Sequence, residues 1–265
     1  YRMIWAYLFF TLARTGVTML HAASVSYGGK GILLAGWGGV GKTSSMLRLI
    51  MRGGKFLSND WSFITENGQI LAYPYPIQLG LYNLNEFPQL AVKFKNHKEL
   101  RRFLFQERIS NIFWRLASHY PSDVTRRAAR ESRAFWRKMR EEFVFSVGFD
   151  ELFERSSLAQ SAPVHSAFLM RAKSEGPFEL LQADKDVLLN EVWPYVRWEC
   201  EKTWDSFLHL MESAFPDENM EEAAYSTWKR AREIARAALG DKPCYIAHIP
   251  RRSSNELISA ITEMM

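Results

Sequence analysis

The chain has 265 residues, of which 47% are hydrophobic, 14% aromatic and 24% charged; this is ample material for a core and excludes an intrinsically disordered protein. That length exceeds one simple domain and falls short of two, so a single domain over 1–265 with an inserted lobe is expected. The net charge of +5 favours anionic ligands but is too small a surplus to indicate a nucleic-acid-binding protein. Cys200 and Cys244 lie far apart without metal-ligand spacing, which fits two structural thiols in a reduced, cytoplasmic setting.

The apolar stretch from Met3 to Phe10 is bracketed by Arg2 and Arg14. It is too short to cross a bilayer, which takes about twenty helical residues, and no small-residue cleavage site follows it. Residues 3–14 are therefore expected to form a buried helix, with no membrane contact. Met19 to Ser26 reads as a strand ending at the Gly28-Gly29 turn, and Gly31 to Ala35 as a short buried strand. A glycine-rich loop follows, then a helix over 43–51 closed by Gly53-Gly54. Lys55 to Ser58 leads a strand to Asn59-Asp60. The segments 61–65 and 69–73, joined through Asn67-Gly68, have the pattern of a hairpin.

From about Lys98 to Leu158 the pattern is charged and helical, and this segment is expected to be a helical insertion. A strand over 163–171 returns the chain to its sheet. Helices are expected over 184–204, with a kink at Pro194, and over 218–239. A last strand over 244–249 and a last helix over 254–264, N-capped by Ser254, complete an α/β layout.

The chemistry is concentrated in Gly36-Trp37-Gly38-Gly39-Val40-Gly41-Lys42-Thr43, which meets the pattern G-x-x-x-x-G-K-[ST] in full. Glycines let the backbone turn its N–H groups inward as an anion nest, and the following helix, entered through Ser44, adds its partial positive charge. In such a loop Lys42 reaches the outer phosphates of a nucleoside triphosphate and the Thr43 hydroxyl coordinates Mg²⁺. Trp37, inside the loop, is expected to shield the site or stack on a ligand. Asp60 ends the next strand, where ligands bind in open α/β sheets, and can hold a metal or accept a hydroxyl proton. A histidine beside apolar residues, as His21 is, ordinarily belongs to a core.

A histidine before the strand, the glycine-rich loop after it, and a second strand ending in Ser58-Asn59-Asp60 resemble the kinase domain of the HPr kinase/phosphorylase family. His21 lies 21 residues before Lys42, and Asp60 lies 18 after it; Tyr73-Pro74-Tyr75-Pro76 resembles a stretch of the family's smaller, peptide-tailoring members. The resemblance covers residues 1–84 and resumes weakly over 244–261. It implies the α/β P-loop nucleotide-binding core shared with phosphoenolpyruvate carboxykinase, here with a helical insertion, and an ATP- and Mg²⁺-dependent kinase acting on a serine-type hydroxyl. It implies catalytic positions at His21, Lys42 and Asp60, a metal held by Thr43 and Asp60, and a phosphoryl-steadying arginine at Arg251 or Arg252. Asn59 departs from the family's acidic pair, and the second metal carboxylate is not placed.

The segment from Arg126 to Arg140 carries seven basic residues. It reads first as a solvated amphipathic helix partnered by Glu131, Glu141 and Glu142, and second as a grip for an acidic peptide or protein. The expected acceptor is a peptide, a protein or a small hydroxyl compound, and a homo-oligomer is compatible with these readings. The alternatives are a nucleotide-binding regulatory module or an NTPase without hydroxyl phosphorylation. An ordinary NTPase needs a downstream apolar strand ending in aspartate, and Phe178 to Asp184 is the nearest segment of that kind.

Overall fold

The computed structural model describes residues 2–117, 123–214, 219–250 and 254–265. In chain order the elements are α1 (Arg2–Arg14), β1 (Val17–Leu20), β2 (Ala22–Tyr27), β3 (Lys30–Gly36), α2 (Lys42–Met51), β4 (Lys55–Ser58), β5 (Ser62–Thr65) and β6 (Gln69–Leu71). Next come β7 (Ile77–Gly80), α3 (Leu81–Glu86), α4 (Pro88–Phe94), α5 (Lys98–Ala117), α6 (Asp123–Glu142) and β8 (Val144–Val147). The chain ends with α7 (Phe149–Leu152), β9 (Ser161–Lys173), β10 (Glu179–Ala183), α8 (Lys185–Ala214), α9 (Met220–Leu239), β11 (Cys244–Pro250) and α10 (Ser254–Glu263). The protein is a mixed α/β chain. Two compact units divide it, Tyr1–Tyr75 with Phe149–Met265, and Pro76–Gly148.

The first unit is organised on β9. Its start pairs antiparallel with β6, its middle runs parallel to β3, and its end runs parallel to β11. Nine strands thereby join one mixed sheet among the described residues. Parallel strands at the centre must be covered on both faces. Leu33, Ala35, Ala167 and Leu169 point into a buried cluster with Leu188, Leu189, Val192 and Val196 of α8 and Ile234, Ala235 and Leu239 of α9. Alternation sends Leu34, Phe168 and Met170, all buried, to the other face. On the first face Phe9 of α1 sits against Trp228, with ring centroids 4.4 Å apart.

The segment expected as one strand over 19–26 is two strands, broken at His21. β1 pairs with β5 and β2 pairs with β3 and β4, so the break carries the chain from one part of the sheet to another. Helix α8 runs unbroken through Pro194. The segment around 178–184 is β10, antiparallel to β11, and its terminal Asp184 caps α8 by accepting from the Asp186 N–H at 2.6 Å.

Beneath the junction of β2, β4 and β5 lies a buried hydroxyl chain. Ser24 Oγ meets Ser58 Oγ at 2.6 Å, Ser58 meets Ser62 Oγ at 2.7 Å, and Ser62 donates to the Ala22 carbonyl at 2.9 Å. All three serines are fully buried, so every hydroxyl must be partnered within the protein.

In the second unit β7 and β8 form a two-stranded ribbon, and α5 and α6 pair antiparallel. Phe103 stacks on Phe143 at 4.2 Å, Ser110 accepts from the Trp136 indole at 2.7 Å, and Arg140 pairs with Glu107 at 3.0 Å. The helical pattern ends at Glu142, after which β8, α7 and a short 3₁₀ turn follow. No helix among the described residues is long and apolar enough to cross a membrane.

Ser58→Ala removes the middle of the hydroxyl chain and leaves Ser24 unpartnered on that side. It should lower unfolding stability by about 1–3 kcal/mol. Urea unfolding checks this, and a loss below about 0.5 kcal/mol would show that the chain contributes nothing.

Candidate functional site

The site begins where β3 stops. Gly36 has φ of 144°, and a Cβ there would stand 2.5 Å from the Met170 carbonyl of β9. Only glycine lets the chain leave the sheet while pressed this closely against its neighbour. The loop then enters α2 through Gly41, whose φ of 95° is left-handed and which offers no side-chain cap. The first turn of α2 thus presents its positive end to the loop, as an anion would require.

Lys42 is buried, and its ammonium has three donors and three acceptors around it. It donates to the Gly36 carbonyl at 2.6 Å, to the Trp37 carbonyl at 3.1 Å, and lies 3.0 Å from His21 Nε2. His21 stands at the break between β1 and β2, which aims its ring at this ammonium. Burial, and secondarily the charge of Lys42, pushes the imidazole from 6.5 down to about 3. At neutral pH the ring is therefore uncharged, with Nε2 accepting from Lys42 and the proton on Nδ1. Nδ1 has no partner among the described residues. Burial also lowers Lys42 from 10.5 to about 8, and Asp60 partly opposes this.

Thr43 is held from the other side. Its hydroxyl donates to Asn59 Oδ1 at 3.2 Å, and Asn59 is fully buried. Asp60 follows at φ 63°, the one non-glycine residue with positive φ among those described. The Trp61 N–H donates back to the Asn59 carbonyl at 2.8 Å, so Asp60 is the apex of a strained γ-turn. Strain of this kind persists where the surroundings impose it, and it gathers at functional sites. His21, Lys42, Thr43, Asn59 and Asp60 are thus gathered at one place.

Three aromatic residues wall this place. Tyr195 of α8 lies over His21 with centroids 4.0 Å apart, Trp61 meets His21 edge-on at 5.5 Å, and the half-exposed Trp37 meets Tyr195 edge-on at 5.3 Å. Sequence reading placed Trp37 here and missed Tyr195 and Trp61. Trp61 follows Asp60 directly and could have been marked, but nothing local marks Tyr195, which arrives from a helix far downstream. Ser44 is buried in the first turn of α2, and Gly38, Gly39 and Val40 span the loop. Arg251 and Arg252 lie outside the described residues. No group of three or more His, Cys, Asp or Glu side chains suited to a metal occurs among the described residues. Asn59 offers the Thr43 hydroxyl a neutral amide oxygen rather than a carboxylate.

No protein-family profile matches the sequence, and no curated protein matches it. Among solved structures the chain is similar to the Hpr(Ser) kinase/phosphatase from Coxiella burnetii, at 13% identity and a TM-score of 0.28, over 74% of this chain and 99% of that one. A likeness of that size carries no argument about activity.

The depressed His21 fixes the sign of an acid dependence. An unfolded histidine takes its proton near pH 6.5 and the folded one only near 3. Stability from this group is therefore complete above 6.5 and falls as pH drops toward 3, by up to about 1.4 kcal/mol per pH unit. His21→Gln, which still offers Lys42 an acceptor, should flatten this slope. Unfolding free energies between pH 7.5 and 4.5 measure it; equal slopes in both proteins would refute the assignment.

Proposed function

We propose that the protein is a phosphotransferase, an ATP- and Mg²⁺-dependent kinase acting on a serine-type hydroxyl of a peptide, protein or small molecule. The observation that supports it is the convergence of a buried lysine, a helix-entry threonine and a strained aspartate on one glycine-rich loop. Phosphoryl transfer asks little more than this, because positioning and charge neutralisation supply most of the catalysis.

In this reading triphosphate oxygens take over the Lys42 ammonium from the Gly36 and Trp37 carbonyls, and the N–H groups at the start of α2 receive the remaining charge. The Thr43 hydroxyl, the Asn59 amide oxygen and the Asp60 carboxylate suit a hard cation that binds oxygen and keeps several waters, as Mg²⁺ does. Bound there, Mg²⁺ neutralises charge on the phosphates. Asp60 takes the proton from the acceptor hydroxyl while that oxygen bonds to the γ-phosphorus and the bond to the ADP oxygen breaks. His21, with its basicity lowered to about 3, is a poor base at neutral pH and serves to hold Lys42. Tyr195 and Trp61 fix the His21 ring.

One observation favours a second reading, a nucleotide-binding regulatory module. Asn59 gives Thr43 a neutral amide where a carboxylate would bind metal more strongly, and this weakens the case for rapid transfer.

Asp60→Asn should keep ATP binding and reduce transfer about a hundred- to ten-thousand-fold. Labelled ATP with candidate hydroxyl acceptors measures it. Near-normal transfer in the variant would place the base elsewhere, and no transfer by the unaltered protein would favour the regulatory module.

Lys42→Met tests the loop separately from the fold. Keeping Lys42 charged costs stability below pH 8, and that cost fades as pH rises from about 8 to 10.5. The variant should lose ATP affinity. Relief of the buried charge favours the fold while the Gly36 and Trp37 carbonyls and His21 Nε2 lose their donor, so unfolding stability at pH 7 should rise by less than the about 3 kcal/mol that the charge alone would give. Calorimetric titration and urea unfolding check both halves, and unchanged affinity would remove the loop from the site.

A further inference from the structure

The positive charge of this chain is not spread evenly. Residues 76–148 hold fourteen Lys or Arg against seven Asp or Glu, a surplus of seven, while the remainder of the chain is net acidic by two. The surplus sits on the second unit, and its two long helices use it differently. On α6 three of the basic residues find local partners: Arg127 with Glu131, Lys138 with Glu142, and Arg140 with Glu107 on α5. That helix reads as a solvated face.

Helix α5 is different. Its inner face carries Leu100, Phe103, Glu107 and Ser110, of which the last three contact α6 or Phe143. An ordinary helix then turns a polar face to water. Here the outer face carries Leu104, Phe105, Ile109, Ile112 and Phe113, exposed by 38–63%. Beside them stand Arg101, Arg102 and Arg108. With Asn96, Lys98, Leu104 and Phe105 these arginines line a cavity of about 550 Å³. None of Lys98, Arg101, Arg102 and Arg108 has a side-chain ion pair among the described residues, and no acidic side chain lines the cavity.

We propose that this face of α5 docks a peptide segment that is acidic and carries apolar side chains. Charge sets the sign of the partner: a second copy would bring the same basic surface against itself, which like charges oppose. The exposed side chains set its character: stacked bases would use Phe105 and Phe113 but leave Leu104, Ile109 and Ile112 bare, while an amphipathic peptide buries all five. A peptide can set carboxylates among Lys98, Arg101, Arg102 and Arg108 while its apolar side chains follow Leu104 and Phe105; a bilayer offers a plane to the same helix, and the vesicle arm below tests that mode. The groove belongs to the second unit and stands whether or not the glycine-rich loop transfers phosphate.

Fluorescence anisotropy of the full chain with a labelled synthetic peptide of interspersed Glu, Leu and Phe tests this. Parallel arms use poly-glutamate, a single-stranded oligonucleotide, and phosphatidylcholine vesicles containing phosphatidylserine. Two variants keep the inner face intact, Arg101→Glu with Arg108→Glu, and Phe105→Ser. The acidic-apolar peptide should bind more tightly than poly-glutamate, lose about tenfold or more in affinity in the charge-reversed protein, and lose several-fold in Phe105→Ser. Circular dichroism and ATP titration should be unchanged in both variants. Equal binding of poly-glutamate or the oligonucleotide with no effect of Phe105→Ser would reduce the groove to a general polyanion surface and overturn the proposal. Preference for vesicles, concentration-dependent dimerisation lost on charge reversal, or no binding of the peptide would overturn it as well.

Discussion

The first unit is arranged around the burial of one ammonium group. A lysine charge taken from water must find acceptors for every donor, and Lys42 finds them in two carbonyls of its own loop and in the His21 ring. The carbonyls and the ring depend on different pieces of chain. The carbonyls point inward because Gly36 turns out of β3 against β9, at a spacing no side chain would allow. The ring is aimed by the break between β1 and β2. Its uncharged state follows from burial beside a cation, and that state allows it to accept from the lysine.

The opposite wall is built on polar chemistry as well. Asn59 holds Thr43, and Asp60 sits in a backbone conformation that costs free energy, about 1–3 kcal/mol for residues of this kind. Below them the chain of Ser24, Ser58 and Ser62 ties β2, β4 and β5 together. A strained turn needs a rigid foundation, and buried hydroxyls bonded in series are stiffer than an apolar contact of similar size. At neutral pH stability is thus lowered at Lys42 and Asp60 and sustained by the large apolar cluster between the sheet and α1, α8 and α9.

The second unit obeys other rules. Its aromatic interior, with Phe94, Phe103, Phe143 and Phe145 in contact, is ordinary core. Its outer face puts cations and apolar side chains side by side on one helix, which suits association more than solubility. The density of basic residues marks α6 in the sequence, yet α6 neutralises several of its own charges. The face without such partners is on α5, where basic and apolar residues alternate too evenly to form a conspicuous run.

Much of the first unit was legible because its signals are local. An apolar run, a glycine pattern and a helix that starts at Lys42 are set by neighbours in sequence, through φ preferences and hydrophobic periodicity. The approach of Asp60 to Lys42 and Thr43 was legible from its place at the end of the strand after the loop, whereas that of His21 was legible only through the family resemblance. What no local signal carries is pairing across the sheet and the charge state that results from it. The split of the strand at His21 depends on β5 and β3 competing for different halves of it. Tyr195 reaches His21 because α8 crosses the sheet, and the depressed basicity of His21 and Lys42 arises from burial by distant segments. Sequence by itself determined which residues could bind an anion; tertiary structure decided which of them are buried together, because desolvation belongs to the packed whole and to no single stretch of chain.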